Sequence, residues 1–271
     1  MNNSRRTILA ANWKLNNLWE DCEQFVSELH SELPQYWESG AGPGLDLDLV
    51  LCPAFPYIGV LGSLLEDARI LLGAQHVSEH PAGAFTGEVS AAMLADSGCD
   101  FCIVGHSERR SKYPESAATM NAMLKLLREE EIAPILCVGE PEEVHRSGRA
   151  AEYVSGQLEE LGGQIRAYDP EDIVVAYEPV WAIGTGNSAQ PQEAGEMIGG
   201  IRRWLAEKVG GGFAESTLLL YGGSVNAGNI AGYITHPEID GALIGGASQS
   251  ASGFSAIARA CLELRRQQPG A

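Results

Sequence analysis

The sequence predicts an α/β protein built as a single (β/α)8 barrel over residues 1–271, and three observations carry that expectation. Eight short apolar runs recur along the chain, each closing on a turn-like or polar cluster. Segments with helical spacing lie between them. The repeat is about 34 residues per unit, a length that accommodates a parallel strand and its crossover helix. Eight near-equal units favour a closed barrel over a doubly wound open sheet. The GxGxxG fingerprint of a dinucleotide-binding open sheet follows none of the first three runs.

In chain order the predicted strands are residues 8–14, 47–53, 70–75, 101–106, 134–139, 173–179, 218–223 and 241–246. Each is apolar on both faces, as expected for a parallel sheet covered on both sides. The helical segments are 18–33, 116–131, 142–161, 191–209 and 254–264. In the first, Phe25, Val26 and Leu29 share a side; in the second, Met120, Met123, Leu124 and Leu127 do. Pro191 suits a first helical turn. The connections after Gln75 and Gly223 look shorter or irregular, and the Gly-Pro-rich stretch 40–44 merely separates a helix from a strand.

Apolar residues make up 45% and charged residues 20%, which suits a folded chain with a sizeable core. The formal net charge of −18 argues against nucleic acid and anionic membrane as main partners, since both need a basic surface. The start holds only a short apolar stretch, Ile8 to Ala11, and no run approaches a membrane span. A cytoplasmic location is expected. Six cysteines in apolar surroundings read as buried free thiols of a reducing compartment. The pair Cys99-x-x-Cys102 lacks the second pair or histidines of a zinc site, so no metal is expected.

In a barrel, chemistry belongs where strands end and the following loops begin. The first run ends Asn12-Trp13-Lys14; alternation places Asn12 and Lys14 on one face. A lysine there either meets an anion or reaches water along its stem. The fourth run ends at His106, with Glu108 two residues on in a dense Ser-Glu-Arg-Arg tail. Imidazole can donate to or accept from a carbonyl; a purely structural histidine is the alternative. The sixth run ends at Glu178-Pro179, and a carboxylate that loses solvent becomes a stronger base. After it, residues 180–189 mix apolar side chains with glycine, as in a lid that buries Trp181 and Ile183 on closing over a stiff Pro179-Val180 hinge. The seventh and eighth runs end in Gly222-Gly223-Ser224 and Gly245-Gly246, whose backbone N–H groups can approach an anion.

Taken together, these segments resemble the triosephosphate isomerase family. The matching pieces are Asn12-Trp-Lys14, Gly73-Ala-Gln75, Gly83-Ala-Phe-Thr-Gly-Glu88, Gly105-His-Ser-Glu-Arg-Arg110, Cys137-Val-Gly-Glu140, the run Ala176 to Gly186, Tyr221-Gly-Gly-Ser-Val225 and Gly245-Gly-Ala-Ser248. They stand in family order over most of the chain, so the resemblance implies a TIM barrel. It also implies an isomerase that interconverts D-glyceraldehyde 3-phosphate and dihydroxyacetone phosphate without a cofactor. Glu178 would be the base, His106 the neutral electrophile and Lys14 the cation beside the developing oxyanion. Asn12 would position substrate. Backbone N–H groups of Gly184, Ser224, Gly245 and Gly246 would hold the phosphate. Glu108 would belong to the polar network, and Cys137 would be structural.

The resemblance further implies a homodimer whose third loop, about 76–88, inserts into its partner, with His76, Phe85 and Thr86 in that loop. Several residues depart from the family pattern: His76 where asparagine is usual, Pro81-Ala82 at the loop tip, Asn187-Ser-Ala189 at the lid's end, and the segment after Ser248. Two other readings stay open. One is an isomerase of a tetrulose or erythrose phosphate on the same scaffold. The other is an inactive barrel used for binding.

Overall fold

The computed structural model describes residues 5–38, 47–113, 115–183 and 188–266. Eight strands, β1 (Thr7–Asn12), β2 (Leu47–Cys52), β3 (Ile70–Ala74), β4 (Phe101–Val104), β5 (Ala133–Val138), β6 (Val174–Tyr177), β7 (Leu218–Tyr221) and β8 (Gly241–Ile244), close into a barrel in sequence order. All ladders are parallel. The seam is closed by β1 on β8, with Ile8 opposite Gly241 and Ala11 opposite Ile244.

The helices among the described residues are α1 (Trp19–Glu32), α2 (Ile58–Leu64), α3 (Ala91–Asp96), α4 (Ser107–Lys112), α5 (Ala117–Glu129), α6 (Glu142–Arg146), α7 (Ala150–Ile165), α8 (Pro191–Lys208), α9 (Gly211–Ser216), α10 (Ile230–Ile234) and α11 (Ala251–Arg266). None is long and apolar enough to cross a membrane.

Period-two alternation explains why the strands are mostly apolar on both faces, with Thr7, Asn12 and Asp48 as polar exceptions in β1 and β2. Ile8, Ala10, Val50, Cys52, Ile103, Ile135, Cys137, Val174, Ala176, Leu220 and Leu243 form one buried cluster. Their strand neighbours Leu9, Ala11, Leu49, Leu51, Val104, Leu136, Val175 and Leu219 join a second cluster with helix residues such as Phe25, Leu29, Leu124, Leu158 and Phe254. One set fills the barrel and the other seats the helices. Each fully buried leucine or isoleucine contributes roughly 1.5–3 kcal/mol over leaving it exposed.

The expected strands are found, but most stop one or two residues short of the apolar run. Trp13 is fully buried and packs edge-on against Phe25, yet lies beyond β1. Burial continues past the point where ladder pairing ends. The segment 142–161 is two helices rather than one, broken by a turn at Gly148. The last helix begins at Ala251, three residues earlier than its periodicity suggests. The irregular connections after β3 and β7 carry the short helices α3 and α10. The stretch 40–44 lies outside the described residues. All six cysteines are buried free thiols.

Candidate active site

A cavity of about 380 Å³ opens at the ends of the strands and is lined by Asn12, Lys14, His106, Glu178, Ser224, Gly245 and Gly246, with Ile183, Gly222 and Gly223 beside them. Every described residue predicted for catalysis or substrate contact is in that lining. Gly184 lies outside the described residues, as does Asn187.

Lys14 reaches the cavity by a route that strand alternation does not foresee. β1 ends at Asn12, and Lys14 turns into the left-handed region with φ 57°. The Asn12 side-chain oxygen accepts its backbone N–H at 3.1 Å. Gln75 donates from its amide to the carbonyls of Lys14 and Cys52, both at 2.9 Å, and so fastens the turn. The Lys14 ammonium donates to Glu108 at 2.7 Å. Burial opposes ionisation of Glu108, but the Lys14 hydrogen bond and nearby positive charge outweigh it and hold the carboxyl below its ordinary range.

His106 caps the N-terminus of α4. Its Nδ1 accepts the backbone N–H of Glu108 at 3.2 Å. An acceptor Nδ1 means that the neutral ring carries its proton on Nε2. That Nε2 lies 3.1 Å from Glu178 Oε1. Glu178 is 2% exposed. Its Oε2 accepts the Ser107 backbone N–H at 2.8 Å, and its Oε1 accepts the Ser107 hydroxyl at 3.2 Å. Ser107 is the site residue that sequence reasoning missed. A serine inside a polar run has no pattern to mark it, and its partner is 71 residues away.

Two glycines let the chain crowd around Glu178. A Cβ on Gly139 would overlap the Glu178 carbonyl oxygen, and one on Gly222 would sit 2.9 Å from its Cγ. Gly222 thus makes room for the base, a role distinct from approach to a ligand. Cys137 is fully buried in the barrel; burial, then the Glu178 charge, pushes its thiol well up, so it stays a thiol.

Glu140, 0% exposed, accepts from the Trp181 indole N–H at 2.8 Å and the Tyr177 hydroxyl at 3.1 Å. Trp181 lies in a 3-10 turn, Val180–Ala182, directly after Pro179. Beyond the undescribed residues, Ala189 is held by the Tyr221 and Tyr233 hydroxyls at 3.2 and 2.7 Å. Among the described residues no group of three or more His, Cys, Asp or Glu is disposed to hold a metal ion.

Comparison with known proteins adds a second line. The family model described as Triosephosphate isomerase matches residues 7–261. The chain belongs to the triosephosphate isomerase family. A protein of Thermus thermophilus named triosephosphate isomerase is 44% identical over 94% of this chain and 98% of its own length. Those of the same name from Alcanivorax borkumensis and Symbiobacterium thermophilum are 42% and 41% identical, over 95% and 96% of this chain and 99% of their own lengths. By that membership the chain is an isomerase. The family is itself a type case for active sites at the strand ends of a barrel, so that placement is not independent of it.

In the third loop, His76 faces inward. Its Nε2 lies 3.1 Å from Arg109, its Nδ1 3.4 Å from Glu115, and its ring near Phe55. Burial, then the Arg109 charge, pushes its pKa down to about 4. Phe85 stacks on His80 and is 42% exposed; Thr86 is exposed as well.

Proposed function

We propose that the chain interconverts D-glyceraldehyde 3-phosphate and dihydroxyacetone phosphate through an enediolate. One observation carries the reading: a buried carboxylate, an imidazole with its proton on the facing nitrogen and an ammonium converge on one cavity. Glu178 is the base that removes a proton beside the carbonyl and returns it to the neighbouring carbon. His106 donates from Nε2 to the carbonyl oxygen and passes protons between the two oxygens of the intermediate. Lys14 supplies positive charge where the oxyanion grows, which is where fixed electrostatics lower a barrier most. Asn12 orients the substrate. Backbone N–H groups of Gly184, Ser224, Gly245 and Gly246 take the phosphate, and Glu108 and Cys137 support the site.

With His106 and Glu178 at hydrogen-bond distance, a substrate carbonyl must displace the carboxylate to reach Nε2. Glu178 therefore leaves Ser107 when substrate binds, and the Pro179–Ala182 turn moves with it. Binding of the remote phosphate provides the energy for that change. Closure over the site also excludes water from an intermediate prone to lose phosphate.

The same reading takes residues 1–271 as one cytoplasmic barrel domain that works as a homodimer. Exposed Leu15, Trp19 and Phe85, at 95%, 56% and 42%, support a covered surface around the cavity mouth and third loop.

The test is kinetic. Glu178→Ala should fold normally and lose roughly three orders of magnitude or more in kcat on triose phosphates. The parent enzyme should prefer triose over tetrose phosphates in kcat/KM. A tenfold preference for a tetrose phosphate would replace the substrate assignment, and an undiminished E178A would remove the base assignment.

A further inference from the structure

We infer that His145 is a positioning residue that clamps the turn following Glu178, and that protonating it tightens the clamp. The inference rests on the proposed role of Glu178 as a base that must leave Ser107.

The His145 ring stacks on Trp181, with centroids 4.2 Å apart and planes 27° from parallel. Its Nδ1 is 3.4 Å from Glu140 Oε1, the oxygen that already accepts from Trp181 and Tyr177. Its Nε2 is 3.8 Å from Glu193 Oε1, in the first turn of α8. One imidazole therefore lies against Trp181, in the 3-10 turn after Glu178, and near Glu193, in the first turn of α8. The 3-10 turn is also tied to Glu140 through backbone, since Val180 N–H donates to the Glu140 carbonyl at 3.2 Å.

Charge gives the clamp a direction. The Glu140 carboxylate is buried, and its Oε2 has no hydrogen-bond partner among the described residues. A buried carboxylate with an unmet oxygen is costly, and a neighbouring cation offsets that cost. An imidazolium at position 145 would face two carboxylates and lie on an indole face, a favourable place for a cation. The neutral ring keeps the stacking but loses the attraction to the two carboxylates.

Other ionisable groups stand on the neighbouring elements. On α6, Glu142 is paired with Arg146. Arg149, Glu152 and Tyr153, at the start of α7, share a groove with neighbouring Val144. The clamp is therefore tight on the acid side and loosens as pH rises. Because the turn must move for Glu178 to leave Ser107, turnover should carry an acid-side brake that belongs to His145.

The experiment compares kcat/KM on triose phosphate from pH 5.5 to 8 for the parent, His145→Phe and His145→Arg. Protonation of substrate, Glu178 and His106 affects all three, so the variant-to-parent ratio isolates position 145. For H145F, which keeps the stack without charge, the ratio should be near one at pH 8 and threefold or more at pH 5.5. For H145R, permanently charged, it should be near one at pH 5.5 and fall below one at pH 8. Ratios that stay flat with pH would overturn the inference. A second readout needs no catalysis: the fluorine resonance of 5-fluorotryptophan at Trp181, assigned with Trp181→Phe, should titrate with pH in the parent and not in His145→Gln. A resonance that does not titrate in the parent would overturn the inference even if H145F does not fold. A parent that titrates normally but fails to isomerise triose phosphate at pH 8 would sink the functional reading alone.

Discussion

His76 ties stability to pH through one side chain. Burial and Arg109 hold its folded pKa at about 4, while an exposed histidine titrates near 6.5. Between those values the unfolded chain binds a proton that the folded chain refuses, so stability falls as pH drops from about 6.5 through about 4. The whole shift is worth at most about 3 kcal/mol. His76→Asn, which cannot titrate, should lose correspondingly less stability between pH 7 and pH 4 in urea melts at fixed protein concentration. Equal losses in the two proteins would assign the acid sensitivity elsewhere. The contrast with Ser107 shows what is legible at this scale. Lys14, His106 and Glu178 are readable because a charged or polar side chain ending an apolar run is conspicuous. Ser107 is not, because its partner comes from another strand end and nothing local marks it; Gln75 ends an apolar run, but its tie to the turn at Lys14 is not legible. The left-handed turn at Lys14 was equally hidden: alternation reached the right face by a different backbone path.

At the scale of elements, apolar runs reveal strands well and their ends poorly. Trp13 and Pro53 are buried beyond the ladder, so the hydrophobic signal outlasts the pairing. Helical periodicity likewise runs through the Gly148 turn, because α6 and α7 are too close in sequence for the pattern to lose phase. What the runs cannot express is how nearly adjacent strand ends touch. The ends of β5 and β6 meet at Gly139, where a Cβ would overlap the Glu178 carbonyl oxygen. Gly139→Ala must part the two backbones and carry Glu178 with them. Displacing a reacting group by about 1 Å can cost roughly a hundredfold in rate, and the overpacking costs about 1–3 kcal/mol. The expected outcome is a folded, less stable enzyme with kcat down about a hundredfold. Wild-type kcat in a folded G139A would show that the site tolerates separation of the strand ends.

The whole molecule adds two consequences that single residues do not show. If the exposed third loop is an interface, Phe85→Asp should convert a dimer to monomer by sedimentation at micromolar concentration and reduce activity in parallel. A monomeric parent would remove the homodimer from the functional reading. The second consequence concerns the net charge of −18. Lys14 is the one Lys or Arg among the described residues lining the cavity, and it is paired with Glu108. The phosphate would be met mainly by uncharged backbone donors, so binding at contact does not require a basic surface. Approach from a distance is different. At about 0.01 M ionic strength the Debye length is about 30 Å, and the acidic surface repels an anionic substrate; at about 0.15 M it is about 8 Å and distant acids are screened. Association rates respond to that field, whereas the enclosed chemical step responds much less. Raising sodium chloride from about 10 to about 150 mM should therefore increase kcat/KM severalfold and leave kcat nearly constant. A decrease in kcat/KM over that range would mean that the local field of Lys14 and the aligned N–H groups reaches farther than the surface acids do.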